Sequence, residues 1–156
     1  GSRHPSIAPF EAFKTKDSHI IIAAGNDKLF TKLCDVLKIP ETANDERFNS
    51  NSLRCENMDH LKEIFEKQLS SKSTDEWVKE MEELKIPCGP IFNIKQAVEN
   101  PQVQERNMIV KSYHKIIGEF KSAGNPIKMS TYKDENTRGD IPDLDEHREK
   151  IIKEFS

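Results

Sequence analysis

A chain of 156 residues accommodates one compact domain, because a second hydrophobic core would leave both cores undersized. Lysine and arginine are scattered among aspartate and glutamate at a net charge of −3, so there is no basic face of the kind that neutralises phosphates, and nucleic acid is not an expected partner. No apolar run approaches the roughly 20 residues of a membrane span, no charged-then-apolar signal pattern opens the chain, and Cys34, Cys55 and Cys88 are too far apart for a CxxC pair; a reducing compartment, cytoplasmic or mitochondrial, is expected.

Two short apolar runs at residues 10–15 and 19–24 flank Lys16-Asp17-Ser18 and predict a β-hairpin. Gly25-Asn26-Asp27 then ends the second strand and opens a helix with Leu29, Phe30, Leu33, Val36 and Leu37 on one face and Pro40 as its stop. Asn57 is placed to cap a further helix with Leu61, Ile64, Phe65 and either Gln68 or Leu69 inward. Ser73 and Glu76 form the S-x-x-E capping box of the next, whose inner stripe is Trp77, Met81 and Leu84. Pro87-Cys88-Gly89-Pro90 cannot continue a helix and reads as a rigid connector. Residues 93–99 and 101–106 predict two short helices, each with asparagine at its cap position. Residues 108–114 and 117–120 suggest a second hairpin, and residues 124–130 one more strand. Residues 131–144 have a linker's composition before an amphipathic helix at about 146–155.

Few of these residues carry self-contained chemistry. His4, His19, His60, His114 and His147 lack the i, i+4 pairing that aims two imidazoles at one metal, so no metal site is expected. Cys88 has the most open-looking surroundings of the thiols and is a candidate nucleophile, although a small residue in a tight connector accounts for it more simply. Asn26 and Asp27 sit where a helix N-terminus favours capping and negative charge. No phosphate-binding glycine loop, G-x-S-x-G elbow or Ser-His-Asp order is present.

In order along the chain, Arg3-His4-Pro5-Ser6-Ile7-Ala8-Pro9-Phe10, Phe13 to Asp17, Ile21-Ile22-Ala23-Ala24-Gly25-Asn26-Asp27, Asp45-Glu46-Arg47-Phe48, Asn51 with Arg54 and Asn57, Trp77, Ile86-Pro87-Cys88-Gly89-Pro90-Ile91, Pro101-Gln102-Val103, and Gly124 to Ser130 cover nearly its whole length. This series resembles the small domain of the class III CoA-transferases, the CaiB/BaiF-like enzymes of the formyl-CoA transferase or succinate-hydroxymethylglutarate CoA-transferase type. The resemblance implies an α+β fold of short strands and hairpins packed with several helices. It lays the chain out as a loop covering the active site at residues 1–9, the small domain proper at 10–130, and a return linker with a C-terminal helix at 131–156. It further implies larger, interlocked dimeric subunits, whose large domain supplies an aspartate that attacks an acyl-CoA thioester on the way to a carboxylic acid acceptor. No catalytic residue and no cofactor then fall in this chain; coenzyme A is a substrate of the parent enzyme, and a large domain and a second copy are the expected partners. His4 and Ser6 are the loop residues available to a substrate carboxylate, and the Gly25-Asn26-Asp27 turn is the other candidate part of the site.

Two departures from the family pattern stand out. Asp143-Leu144-Asp145-Glu146-His147 carries acids where small and apolar residues are usual, and Ser18 replaces the glycine of the hairpin turn, which asks for a less comfortable backbone. The rival readings are the small domain of an α-methylacyl-CoA racemase, which typically has a Glu-Pro pair in place of Gly25-Asn26-Asp27, and a stand-alone binding or assembly module.

Overall fold

The alternation of Phe10-Glu11-Ala12-Phe13 sends every second side chain to the same side, which is what a half-buried strand needs. In the computed structural model, which describes residues 1–156, β1 (Phe10–Lys14) and β2 (His19–Ala23) form the expected antiparallel hairpin, with Glu11 opposite Ile22 and Phe13 opposite Ile20. These four residues are buried on the inner face. The turn needs no glycine. None of residues 15–18 has a positive φ, because the Thr15 hydroxyl accepts from the Ser18 amide and the Thr15 amide donates to the Ser18 carbonyl.

Five helices accompany this hairpin in the first of two units, Gly1–Ile91. In α1 (Asp27–Val36) the Asn26 side chain accepts from the Leu29 amide, and Phe30, Leu33 and Cys34 face inward. The helix ends before Pro40, at a left-handed Lys38, and Pro40 opens the short α2 (Pro40–Ala43), where its missing N–H costs nothing. Next come α3 (Asn51–Glu56) and α4 (Met58–Leu69). Asn57 precedes α4 without capping it: its side-chain amide donates to the carbonyls of Leu53 and Arg47. In α5 (Thr74–Glu83) the predicted box is complete, with Ser73 and Glu76 satisfying each other's backbone amides. Trp77 and Met81 are buried, whereas Leu84 lies past the last turn and is half exposed. The proline-flanked connector is itself a strand, β3 (Cys88–Pro90), paired antiparallel with β2 to give the order β1-β2-β3. An edge strand tolerates its prolines, because the missing N–H faces away from the ladder.

Phe13, Ile20, Ile22, Phe30, Leu33, Leu61, Phe65, Leu69 and Met81 are almost wholly removed from water. At about 1.5–3 kcal/mol per large apolar side chain, they dominate the stability of this unit. Asp17 ties the hairpin to α5: its carboxylate accepts from the Thr74 amide at 2.8 Å and from the hydroxyls of Thr74 and Thr15. These bonds, the Thr74 amide first, hold its pKa below the usual 3.8. A carboxylate depressed on folding stabilises fully above its unfolded pKa and loses that contribution as pH falls through the folded value. The melting temperature of the chain therefore drops from about pH 5 towards pH 2, and Asp17→Asn shows a shallower acid limb; equal slopes for both proteins in thermal circular dichroism would overturn this.

The second unit, Phe92–Ser156, is built differently. Helices α6 (Ile94–Glu99) and α7 (Pro101–Glu105) carry the expected caps from Asn93 and Asn100. A sheet of order β5-β4-β6 follows, from β4 (Ile109–His114), β5 (Gly118–Ala123) and β6 (Thr137–Asp140), and α8 (Arg148–Phe155) ends the chain. Here only Val110, Ser112 and Gly124 are buried. The hydrophobic core lies within Gly1–Ile91, the first of the two compact units.

Residues 124–130 do not form the expected strand. A Cβ on Gly124 would stand 2.2 Å from the Asn107 carbonyl oxygen, Pro126 has no amide to donate, and the Asn125 side chain turns back to accept from the Ile127 amide. Conversely the polar residues 131–144 contain β6, which pairs parallel with β4 through Lys111–Thr137 and Tyr113–Asp140. The whole is an α+β fold of eight helices and six short strands, and no helix is long and apolar enough to cross a membrane.

Candidate functional site

Residues 1–9 have no regular structure, yet side chains from three elements hold them. Arg3 donates from Nε to Glu11 and from Nη2 to Asp59, both at 2.7 Å. Glu11 is a buried carboxylate on β1 that also receives Lys62 Nζ at 2.5 Å, so its charge is matched from two sides. The His4 amide donates to the Phe10 carbonyl, and its ring stacks on Phe10 with centroids 5.3 Å apart. Further along, Asn51 at the first position of α3 accepts from the Ala8 amide at 3.0 Å and donates to the Ser6 carbonyl at 2.8 Å.

One turn along α3, Arg54 is fully buried. Its Nε donates to the Ala8 carbonyl, Nη1 to the Phe48 carbonyl, and Nη2 to both the Gly25 carbonyl and Asp27 Oδ1, all at 2.9–3.0 Å. The guanidinium lies 4.5 Å from the centre of the Phe30 ring. A planar fork of donors suits this task, since three carbonyls from separate segments require fixed, diverging N–H directions. Arg54 thereby joins the loop, the Gly25-Asn26-Asp27 turn and the segment before α3.

The five candidate residues take different places around this joint. Gly25 brings the turn so near the loop that an added Cβ would lie 2.1 Å from a methyl carbon of Ile7. Asn26 caps α1, while Asp27 is an exposed carboxylate paired with Arg54. Gly25 and Asn26, with Ile7, Phe10, Leu29 and Asn51, line an open concavity of about 420 Å3. His4 instead borders a smaller cavity of about 140 Å3 beside Arg3, Pro5, Cys55 and Met58. Its Nδ1 accepts from the Ser6 amide, so the imidazole shapes the loop. Ser6 is exposed. Ile7 is the wall shared by the two cavities.

Such an arrangement can bind and orient. The larger concavity offers apolar walls and two side-chain amides, with no nucleophile beside a base. No cluster of histidine, cysteine, aspartate and glutamate could hold a metal ion. Burial pushes the Cys88 thiol pKa up, which leaves it protonated and a poor nucleophile. Cys34, deeper in the core, is pushed up to about 12 by the same cause. The residues that reasoning from types and caps passed over as site elements are Asn51 and Arg54. Their signal was present in their i, i+3 spacing, which puts both on one face of a short polar helix.

The family model of CoA-transferase family III matches residues 1–148. Among curated proteins, the chain is 40% identical over its full length to the acetyl-CoA:oxalate CoA-transferase of Acetobacter aceti, covering 39% of that protein. It is 32% identical over 99% of its length to the human succinyl-CoA:glutarate CoA-transferase, covering 35% of it. A solved structure of a CaiB/BaiF family protein from Brucella suis superposes on the whole chain with a TM-score of 0.79 at 32% identity, over 40% of that protein. The chain therefore spans somewhat more than a third of the length of these relatives.

Proposed function

The chain belongs to CoA-transferase family III, and from that membership we propose that it is the small domain of an acyl-CoA:carboxylate CoA-transferase, where residues 3–9 and the Gly25-Asn26-Asp27 turn cover and shape the substrate site. The acceptor is a small dicarboxylic acid, a class suggested by the oxalate and glutarate in the names of two relatives. In this reading the attacking aspartate and most contacts to coenzyme A belong to a large domain outside these 156 residues. Its carboxylate oxygen bonds to the thioester carbonyl carbon as the C–S bond breaks, which releases CoA thiolate and divides one hard exchange into easier steps. The partners are the large domain and a second copy of the chain. Ile151, Ile152 and Phe155, exposed on α8, supply apolar surface for such contacts.

The observation that carries the reading is the joint itself: Arg54 and Asn51 build the covering loop into the same rigid unit as the turn beside it. The test has two arms. Purified chain mixed with acetyl-CoA and oxalate, or succinyl-CoA and glutarate, is expected to show no acyl exchange by mass spectrometry. Substituting the chain for the matching 39% of the Acetobacter aceti enzyme is expected to preserve transfer. Turnover by the chain alone would refute the placement of the nucleophile, and a folded but inactive chimera would refute the covering role.

A further inference from the structure

We infer that Asn51 is the positioning residue of the covering loop, a role that rests on the proposed transferase reading for its catalytic consequence but not for its structural one. A primary amide is the one neutral side-chain group that both donates and accepts along a short planar edge, as a neighbouring strand would. Asn51 uses both ends on a single stretch of backbone, receiving the Ala8 amide and giving to the Ser6 carbonyl. The residue between those two contacts is Ile7, the side chain that meets Gly25 and forms the wall common to both cavities.

Position and burial separate this residue from the fold. Asn51 is half-buried at the start of α3 and lies outside the hydrophobic core, whereas Arg54 is wholly buried and serves three carbonyls. The side-chain hydrogen bonds of Asn51 go to the loop, so its loss releases the Ser6 carbonyl and the Ala8 amide while Arg54 still holds the Ala8 carbonyl. A substrate cover held in place before the substrate arrives spares the binding step the ordering of a flexible segment. Asn51 therefore sets how well the acceptor is held, and it does so through Ile7.

Asn51→Ala and the near-isosteric Asn51→Asp, made in the full chain, test this by NMR. In Asn51→Ala, hydrogen exchange at the Ala8 amide is expected to speed up about ten-fold, with the Leu61 and Phe65 amides unchanged. The Asp variant keeps the acceptor for Ala8 and loses the donor to Ser6, so Ala8 stays protected while the contact between the Ile7 methyl and Gly25 weakens. Unaltered Ala8 exchange in Asn51→Ala would overturn the inference, and wild-type behaviour of Asn51→Asp at Ile7 would reduce Asn51 to a space filler. In the Acetobacter aceti chimera, Asn51→Ala is expected to raise KM for the acceptor about ten-fold at nearly constant kcat, and an equal KM would sink the positioning role. A chimera inactive with Asn51 intact counts against the transferase reading alone, and the exchange data still decide the latch.

Discussion

Replacing Arg54 with methionine is expected to cost the Gly1–Ile91 unit about 3–5 kcal/mol, a large part of the total stability of a domain. The side chains are similar in length, so little volume is lost. What changes is that three carbonyls lose their donor together, those of Ala8 and Phe48 in the buried interior and that of Gly25 at its part-buried edge. Each unsatisfied buried group costs about 1–3 kcal/mol, and the exposed Asp27 carboxylate, which can rehydrate, adds little. Arg54→Lys keeps the charge but has one nitrogen to serve three diverging acceptors, and it falls nearer to methionine than to wild type. Urea unfolding followed by Trp77, the only tryptophan and a buried one, reports on this unit directly. A loss below about 1 kcal/mol for the methionine variant would show that the carbonyls find other partners.

Phe65→Ala is expected to cost a similar about 3–5 kcal/mol by a different route. The ring of Phe65 is fully buried on α4, with centroids 5.7 Å from Phe13 of β1 and 6.2 Å from Phe30 of α1. Truncation leaves a cavity where strand, first helix and fourth helix meet, and none of the three can close it without breaking its own contacts elsewhere. Phe155→Ala, on the exposed face of α8, is the matched control and is expected to stay within about 0.5 kcal/mol. Near-equal losses for the two variants would contradict the confinement of the core to Gly1–Ile91. The same urea titration measures both.

Local rules carried the first unit far. Short apolar runs on either side of turn residues placed β1 and β2, the 3.6 period placed the inner faces of α1 and α4, and Ser73 with Glu76 marked the start of α5. They failed where partners lie far away in the chain. Cys88-Gly89-Pro90 has no strand propensity, and it is a strand because β2 offers an open edge. Thr137–Asp140 is likewise extended only through pairing with β4. Gly124 was mistaken for part of a strand because a one-dimensional reading cannot see the Asn107 carbonyl against which it packs.

The candidate site divides along the same line. Asn26 was legible as a cap because capping is a contact between residues three apart, and its bond to the Leu29 amide is there. That His4 faces one cavity while Gly25 and Asn26 face another was not legible, since it depends on the path of residues 3–9 over α3.

The ordered series of motifs, by itself, determined the family and the α+β class, because each motif is a local pattern and their order survives without coordinates. Only the tertiary structure decided what Asn51 and Arg54 do. A buried guanidinium or amide takes its meaning from the carbonyls it reaches, and those of Ala8 and Gly25 lie 46 and 29 residues away from Arg54 in the chain.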